Sequence, residues 1–160
     1  MFTAPASVNI ISPDVEAVLF KPSARHYLRR ADDLHAVQRI LSSLPPAKTP
    51  INLDLIGHST NGHHLLRIGN TVINMLDPAV ADFFRHLADS DLLEHLNVTA
   101  VRLLGCSTAT TPSGRRTMRM LSAELGLPVY GTTKMLLRGH FTTQGYNQHF
   151  SHLLSDGALI

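Results

Sequence analysis

A buried β-strand is predicted by the apolar run Ile51-Asn-Leu-Asp-Leu-Ile-Gly57, which is short and lies between turn residues. His58 follows this run directly. A second apolar run, Val101-Arg-Leu-Leu-Gly105, ends in the same way and is followed by Cys106, the one cysteine of the chain. Side chains that follow the carboxyl ends of neighbouring parallel strands line one crevice, where such folds usually place their chemistry. The two runs therefore predict that a histidine and a thiol lie close together at one edge of a sheet.

Helices and further strands alternate with these two runs along the chain. The alternation predicts an α/β domain with three layers, in which helices cover both faces of a mostly parallel sheet. Turn residues, helix caps and apolar spacing place the boundaries. The predicted elements beside the two runs are a strand over 15–20, a helix over 23–44, a short hairpin over 63–68, a helix from 77, a helix over 113–125 that Gly126 ends, a strand over 127–131, a hairpin over 135–143 and a closing helix over 147–154.

Length and composition describe an ordinary globular chain. The 160 residues suffice for one compact core, and we expect a single domain over 1–160. Apolar residues make up 44% and charged residues 16%, whereas disorder needs low hydrophobicity and high net charge. The single cysteine excludes an internal disulfide and favours a reducing compartment. The net charge of +2 comes from scattered basic residues, so nucleic-acid binding is not expected.

The amino-terminal segment has neither the basic region nor the continuous apolar region of a signal peptide. No stretch approaches the roughly 18 apolar residues of a membrane span. We therefore expect a soluble, cytoplasmic protein with no membrane attachment. Export by a signal-independent route stays open.

Cys106 and His58 together predict nucleophilic catalysis. A cysteine attacks as its thiolate, so it needs a neighbouring base or a positive local field. His58 is the candidate base. The helix predicted from Ser113 begins after a loop of about six residues, and its dipole therefore contributes little.

Two other chemistries fit the sequence less well. The segment Gly57-His-Ser59-Thr-Asn-Gly62 resembles the Gly-x-Ser-x-Gly elbow of serine hydrolases, but its spacing is one residue too long and a predicted strand follows instead of a helix. Ten histidines suggest metal binding. Neither His-Glu-x-x-His nor paired cysteine spacing occurs, however, and no metal site is expected.

The order of these motifs resembles the caspase-like clan of cysteine peptidases, which includes caspases, gingipains, clostripain and separase. The resemblance covers about residues 51–133 and is strongest to the caspase-like domains near the amino ends of large bacterial surface proteins. Those domains carry a segment like His-Gly-Ser-x-Gly, a Leu-Gly turn, a strand ending in Gly-Cys, a loop of small residues, a helix opened by glycine and a Val-rich strand. The corresponding features here are His58-Ser-Thr-Asn-Gly62, Ile68-Gly-Asn70, Leu103-Leu-Gly-Cys106, Ser107-Thr-Ala109, Gly114 and Pro128-Val-Tyr-Gly-Thr132.

The resemblance implies a caspase-like three-layer fold, cleavage of peptide bonds in a peptide or protein substrate, and no cofactor or metal. Cys106 is then the nucleophile, His58 the general base, and the backbone N–H groups of Ser59 and Cys106 the donors to the oxyanion. Members that cleave after basic residues often have an acidic residue shortly before the cysteine, and none is present here, so that specificity is not expected. The candidate substrate-pocket residues are Asp54, Tyr130 and Thr132.

A second interpretation is a catalytically inactive caspase-like interaction module. The clan usually has glycine after the catalytic histidine, whereas this chain has Ser59. A conserved architecture does not by itself specify an activity, so the same fold serves catalysis or binding.

Overall fold

A computed structural model describes residues 6–156 of the chain. It contains strands and α-helices joined by short turns and by 3-10 helices at Pro13–Val15, Pro22–Tyr27, Arg138–His140 and Gln148–Leu153. The elements in chain order are β1 (Ala6–Ile11), α1 (Glu16–Leu19), β2 (Leu28–Arg30), α2 (Leu34–Ser43), β3 (Ile51–Ile56), β4 (His58–Ser59), β5 (Leu66–Ile68), β6 (Thr71–Val72), α3 (Pro78–Asp89), α4 (Leu92–His95), β7 (Val98–Leu104), α5 (Pro112–Leu125), β8 (Val129–Thr132), β9 (Phe141–Thr142), β10 (Gly145–Tyr146) and β11 (Leu154–Ser155).

Within residues 6–156, six strands form the central sheet in the order β2-β1-β3-β7-β8-β11. The first five are parallel, and β11 pairs antiparallel with β8 at the edge. The larger apolar core lies on one face of the sheet, beneath α2, α3, α4 and α5. The smaller core lies on the other face, beneath α1, the neighbouring 3-10 segments and the β9–β10 hairpin. The predicted α/β architecture with a mostly parallel central sheet is confirmed.

Side-chain alternation in β3 and β7 separates the two cores. Leu53 and Leu55 of β3 belong to the larger core, whereas Ile56 belongs to the smaller one. Successive side chains of a strand point to opposite faces, so Asp54 lies on the same face as Ile56. Both faces of β3 are buried, although its sequence alternates: Ile51, Leu53 and Leu55 belong to the larger core, whereas Asn52 and Asp54 are buried polar residues on the opposite face.

The strand predicted over 15–20 is wrong, because that segment is helical. Val15, Leu19 and Phe20 are buried while Ala17 and Val18 are exposed, which is the spacing of a helix rather than of a strand. The first strand is instead Ala6–Ile11. Apolar content alone does not distinguish a short buried strand from a short helix, and here the helical periodicity decides.

The long helix predicted over 23–44 is also divided. Pro22–Tyr27 forms a 3-10 helix, Leu28–Arg30 is the edge strand β2, and only the second half is α-helical. Asp33 caps that half by accepting a hydrogen bond from the Ala36 N–H at 2.8 Å. This side-chain cap satisfies a backbone donor that a continuous helix would have used internally.

The predicted ends of the central helices correspond closely to the structure, whereas the predicted hairpin over 135–143 is wrong. Asp77 caps α3, Thr111 caps α5, and Gly126 ends α5 in the left-handed conformation with φ of 67°. Strands β4, β5 and β6 form an antiparallel meander after β3. The predicted hairpin over 135–143 contributes only β9, whose partner is β10, and the predicted closing helix is the 3-10 helix Gln148–Leu153. No helix within residues 6–156 has the length and apolar character needed to cross a membrane.

Candidate active site

The ends of β3 and β7 lie side by side. Ile56 of β3 is paired with Leu104 of β7, and the Gly57 N–H donates to the Leu104 carbonyl at 3.2 Å. His58 and Cys106 each follow this pair by two residues. The predicted meeting of the two strand ends is therefore present, and it places both residues at the carboxyl edge of the sheet, where parallel folds form their crevices.

Both residues are preceded by a glycine that the packing requires. A Cβ on Gly57 would lie 2.1 Å from the Arg67 carbonyl oxygen, and a Cβ on Gly105 would lie 2.6 Å from Ser59 Oγ. Such distances are far shorter than van der Waals contact. Gly57 thus allows β5 to pass close to the chain after β3, and Gly105 allows Ser59 to lie against the chain after β7.

Cys106 is half-buried and packs against the smaller core. The backbone N–H of Leu136 donates to its Sγ at 3.3 Å. The next residue, Ser107, has a φ of 56° and donates its N–H to the Lys134 carbonyl at 3.0 Å. This left-handed residue turns the chain sharply after Cys106. A non-glycine residue takes that conformation only where surrounding contacts hold it, and here the Lys134 carbonyl provides such a contact.

Thr132 holds the Cys106 loop from beneath. It is fully buried, and its hydroxyl donates to the Gly105 carbonyl while its backbone N–H donates to Thr108 Oγ1 at 2.9 Å. The Thr108 hydroxyl in turn donates to the Leu103 carbonyl at 2.9 Å. The structure therefore places Thr132 in the support of the loop and not on an open surface.

His58 is exposed, with 47% of its side chain accessible, and its Nε2 lies 4.0 Å from Asp14 Oδ2. Arg67 also binds Asp14, through Nη2 at 3.1 Å, and the Ser12 hydroxyl donates to the same carboxylate. Within the described residues, the hydrogen-bond partner of Cys106 Sγ is Leu136, and no hydrogen bond joins the thiol to His58. The acidic neighbour of the histidine is thus Asp14, from the turn after β1.

Asp14 was not singled out in the sequence, although Ser12-Pro13-Asp14 is a pattern typical of a helix start. The contact of Leu136 with the thiol could not be predicted from the sequence either. Its contact with the thiol is made by a backbone N–H, which every residue except proline carries, so no side-chain signal marks it.

Ser59 lies in β4, opposite Leu66 of β5. The neighbouring Thr60 N–H donates to the Leu65 carbonyl across the meander at 2.8 Å. The Ser59 hydroxyl oxygen is buried beside Gly105 and has no hydrogen-bond partner among the described residues.

Asp54 is completely buried and is bound by Arg102 of β7. The Arg102 Nε and Nη2 donate to the two carboxylate oxygens at 2.6 and 2.5 Å. The candidate pocket residue Asp54 is therefore buried and paired within the sheet. Tyr130 is half-buried and lies opposite Arg102 in the register of β7 and β8.

Tyr146 of the β9–β10 hairpin covers this ion pair. The Arg102 guanidinium carbon lies 5.5 Å from the centre of the Tyr146 ring. Burial is the main cause that raises the pKa of the Tyr146 phenol, and the nearby Asp54 carboxylate acts in the same direction. Burial by itself would lower the pKa of Arg102, but the hydrogen bonds and the charge of Asp54 raise it above its ordinary value.

Histidines do not gather into a metal centre in this part of the chain. No group of three or more His, Cys, Asp or Glu side chains among residues 6–156 is arranged to hold a metal ion. The His63 ring instead contacts the Ser113 hydroxyl at 3.1 Å, which ties the loop after β4 to the start of α5.

No family model matches the sequence, and no curated protein or solved structure matches the chain. The strand order and the helices define an α/β fold with a histidine and a cysteine at the carboxyl edge of its sheet. The resemblance to the caspase-like clan stays a prediction from the order of motifs.

Proposed function

We propose that the chain is a caspase-like cysteine peptidase in which His58 and Cys106 form the catalytic dyad. The observation that carries this proposal is the position of both residues two places beyond the paired Ile56 and Leu104, at one edge of the sheet. The hydrogen bond from the Leu136 N–H to the Cys106 sulfur adds to it, because this contact holds the thiol in position at the end of β7.

The proposed reaction begins when His58 takes the thiol proton and Cys106 Sγ attacks the carbonyl carbon of a peptide bond. The carbonyl oxygen gains the negative charge, and the backbone N–H groups of Ser59 and Cys106 stabilise it. His58 then gives its proton to the departing amine as the C–N bond breaks, leaving a thioester on Cys106. Water, deprotonated by His58, attacks the thioester, and the carboxylic acid product and the free thiol are released.

The chain segment beside the thiol favours an extended peptide with apolar side chains. Met135 and Leu137 are 65% and 58% exposed, whereas Leu136 between them is buried and contacts Cys106. Alternation of this kind is typical of an extended segment, and it presents two apolar side chains to the surface next to the nucleophile. A peptide substrate binding there would bury apolar area that is exposed in the free protein.

The second candidate function is a catalytically inactive interaction module of the same fold. Two observations favour it. His58 lies next to Asp14 and is not hydrogen-bonded to Cys106, and Ser59 stands where the clan usually has glycine. Movement of the His58 ring toward the thiol is therefore a requirement of the peptidase proposal and not of this alternative.

Hydrolysis of a fluorogenic peptide library separates the two functions. The peptidase proposal predicts turnover that both Cys106→Ala and His58→Ala abolish. His63→Ala is the matched control, because His63 is an exposed histidine of the following loop whose ring contacts Ser113 instead. Turnover that survives Cys106→Ala would contradict the proposal, as would turnover reduced equally by His63→Ala.

Alkylation of the thiol supplies a second measurement that needs no substrate. The peptidase proposal predicts that iodoacetamide modifies Cys106 at pH 6 and that His58→Ala slows this modification, because the base that activates the thiol is removed. An alkylation rate that does not change in His58→Ala, together with an inactive library, would favour the interaction module.

A further inference from the structure

A groove with a cationic rim crosses the face of the protein that carries the smaller core. It consists of two adjoining depressions that share Phe20, Lys21 and Arg138. The larger depression has a volume of about 590 Å³ and extends to Phe141 of β9. The smaller depression has a volume of about 270 Å³ and extends to Arg25. The two depressions together are called the basic groove. Its size lies within the range of ordinary ligand sites.

The rim of the basic groove carries an excess of positive charge. Lys21, Arg25 and Arg138 line it, and all three are exposed. Among residues 6–156 the lining carboxylate is Glu16, which Arg30 binds through two hydrogen bonds of 2.8 Å and which also lies near the charge of Arg25. No carboxylate within residues 6–156 forms an ion pair with Lys21 or Arg138. The cations at the centre of the groove are therefore available to an external anion.

Arg138 is held in position although it lacks an anionic partner. Its Nη2 donates to the Ala17 carbonyl at 2.7 Å and to the Phe20 carbonyl at 3.4 Å. These bonds join the 3-10 helix Arg138–His140 to α1 across the middle of the groove, and they leave the remaining N–H groups of the guanidinium for other acceptors. An arginine fixed in this way loses less side-chain entropy when it binds a carboxylate.

The floor of the groove is apolar. Phe20 and Phe141 form it, with ring centroids 4.8 Å apart, and Leu19 lies beside them. Phe20 is almost fully buried, so the half-buried Phe141 presents most of the aromatic surface. A free phosphate would leave this floor uncovered, whereas a peptide that combines carboxylates with a bulky apolar side chain would match both parts.

We propose that the basic groove binds an acidic peptide segment that inserts one bulky apolar side chain over Phe20 and Phe141. Carboxylates of that segment pair with Lys21, Arg25 and Arg138 on the rim. The binding does not require Cys106, so this site goes beyond the proposed peptidase activity. Electrostatic attraction of this kind accelerates association and supplies specificity, and it weakens as ionic strength rises.

Fluorescence anisotropy with labelled synthetic peptides tests the proposal directly. The probe is a glutamate-rich peptide with one central phenylalanine, and its two controls replace every glutamate by glutamine or the phenylalanine by alanine. All measurements use the Cys106→Ala protein, so that cleavage of the probe cannot be confused with binding. The glutamate peptide should bind more tightly than both controls, and its affinity should fall with added salt.

Variants of the protein locate the binding. Lys21→Gln and Arg138→Gln should each weaken binding by about fivefold, which is the upper range for one exposed ion pair. Arg116→Gln is the matched control, because Arg116 is an exposed arginine on α5, outside the groove, and the charge change is the same. Lys21→Gln removes no hydrogen bond that joins two elements, so it remains informative if Arg138→Gln disturbs the fold.

Several outcomes would overturn the proposal. They are equal binding of the glutamate and glutamine peptides, an effect of Arg116→Gln as large as that of Lys21→Gln, and no detectable binding of the probe up to millimolar protein. A single-stranded oligonucleotide that displaces the peptide at equal charge concentration would show a site for polyanions in general. That result would also overturn the assignment to an acidic peptide.

Discussion

Replacement of Arg102 by methionine measures how much the ion pair between β3 and β7 contributes to the free energy of unfolding. Asp54 is completely buried and Arg102 is 5% exposed. The methionine side chain occupies a similar volume but carries no charge, so Arg102→Met leaves the Asp54 carboxylate without its two hydrogen bonds. The strands that this pair joins are the same two whose ends carry His58 and Cys106.

The expected loss is about 3–5 kcal/mol of the free energy of unfolding, which is typical when one partner of a buried ion pair is removed. Loss of the guanidinium above the Tyr146 ring adds roughly 0.5–1 kcal/mol, the range of an ordinary cation–π contact. The double variant Asp54→Leu, Arg102→Met should be more stable than Arg102→Met alone, because it removes the unpaired carboxylate and places apolar groups in an apolar site.

Urea unfolding followed by far-ultraviolet circular dichroism measures these differences. Arg119→Met serves as the control, since Arg119 is exposed on α5, and its effect should stay within about 0.5 kcal/mol. Two results would refute the reasoning. One is an Arg102→Met protein that loses less than about 1 kcal/mol, and the other is a double variant that is less stable than Arg102→Met alone.

Three further predictions concern the backbone, a cap and a phenol. Gly57→Ala should destabilise the protein by about 1–3 kcal/mol in urea unfolding, because its Cβ would lie 2.1 Å from a carbonyl oxygen, whereas Gly139→Ala, with no atom within 4 Å, should have little effect. Asp77→Ala should cost about 1 kcal/mol in thermal unfolding, because it removes the cap of α3 at 3.0 Å; an unchanged midpoint would contradict this. In alkaline titration followed by tyrosinate absorbance, Tyr146→Phe should remove the last phenol to ionise, because burial raises the pKa of Tyr146. Because the pKa of Tyr146 is higher in the folded state than the ordinary value near 10, the protonated phenol contributes its full stability below that value. This contribution is lost as the pH rises through the folded pKa. Above pH 10 the free energy of unfolding of the wild type should therefore fall more than that of Tyr146→Phe.

The sequence by itself determined the two central strands and the residues at their ends. Both strands lie inside the sheet, and a short, mainly apolar run that ends at a glycine predicts such a buried strand without further information. The cap of α3 and the glycine after α5 were likewise legible, because capping depends on residues within one turn of the helix end. These features depend on residues close together in the sequence, so the sequence alone predicts them. Helix α5, in contrast, was predicted from Ser113 and begins at Pro112, with Thr111 as its cap.

Tertiary structure alone decided the elements near the amino terminus. The segment around Val15–Phe20 was predicted as a strand and is helical, because burial of one side against the smaller core selects the helical spacing. The edge strand β2 is short, and its pairing with β1 rather than its own composition defines it. Pairing energy of this kind depends on a partner distant in sequence, which no local pattern reports.

The surroundings of His58 and Cys106 depended even more on the tertiary structure. Asp14 reaches the histidine from the turn after β1, and Leu136 reaches the thiol from the loop after β8. Each contact joins residues that are far apart in sequence and meet only because the sheet order brings their loops to one edge. The sequence thus identified which two side chains end the central strands, whereas the topology decided which groups surround them, since contacts across the sheet follow from strand order and not from local propensity.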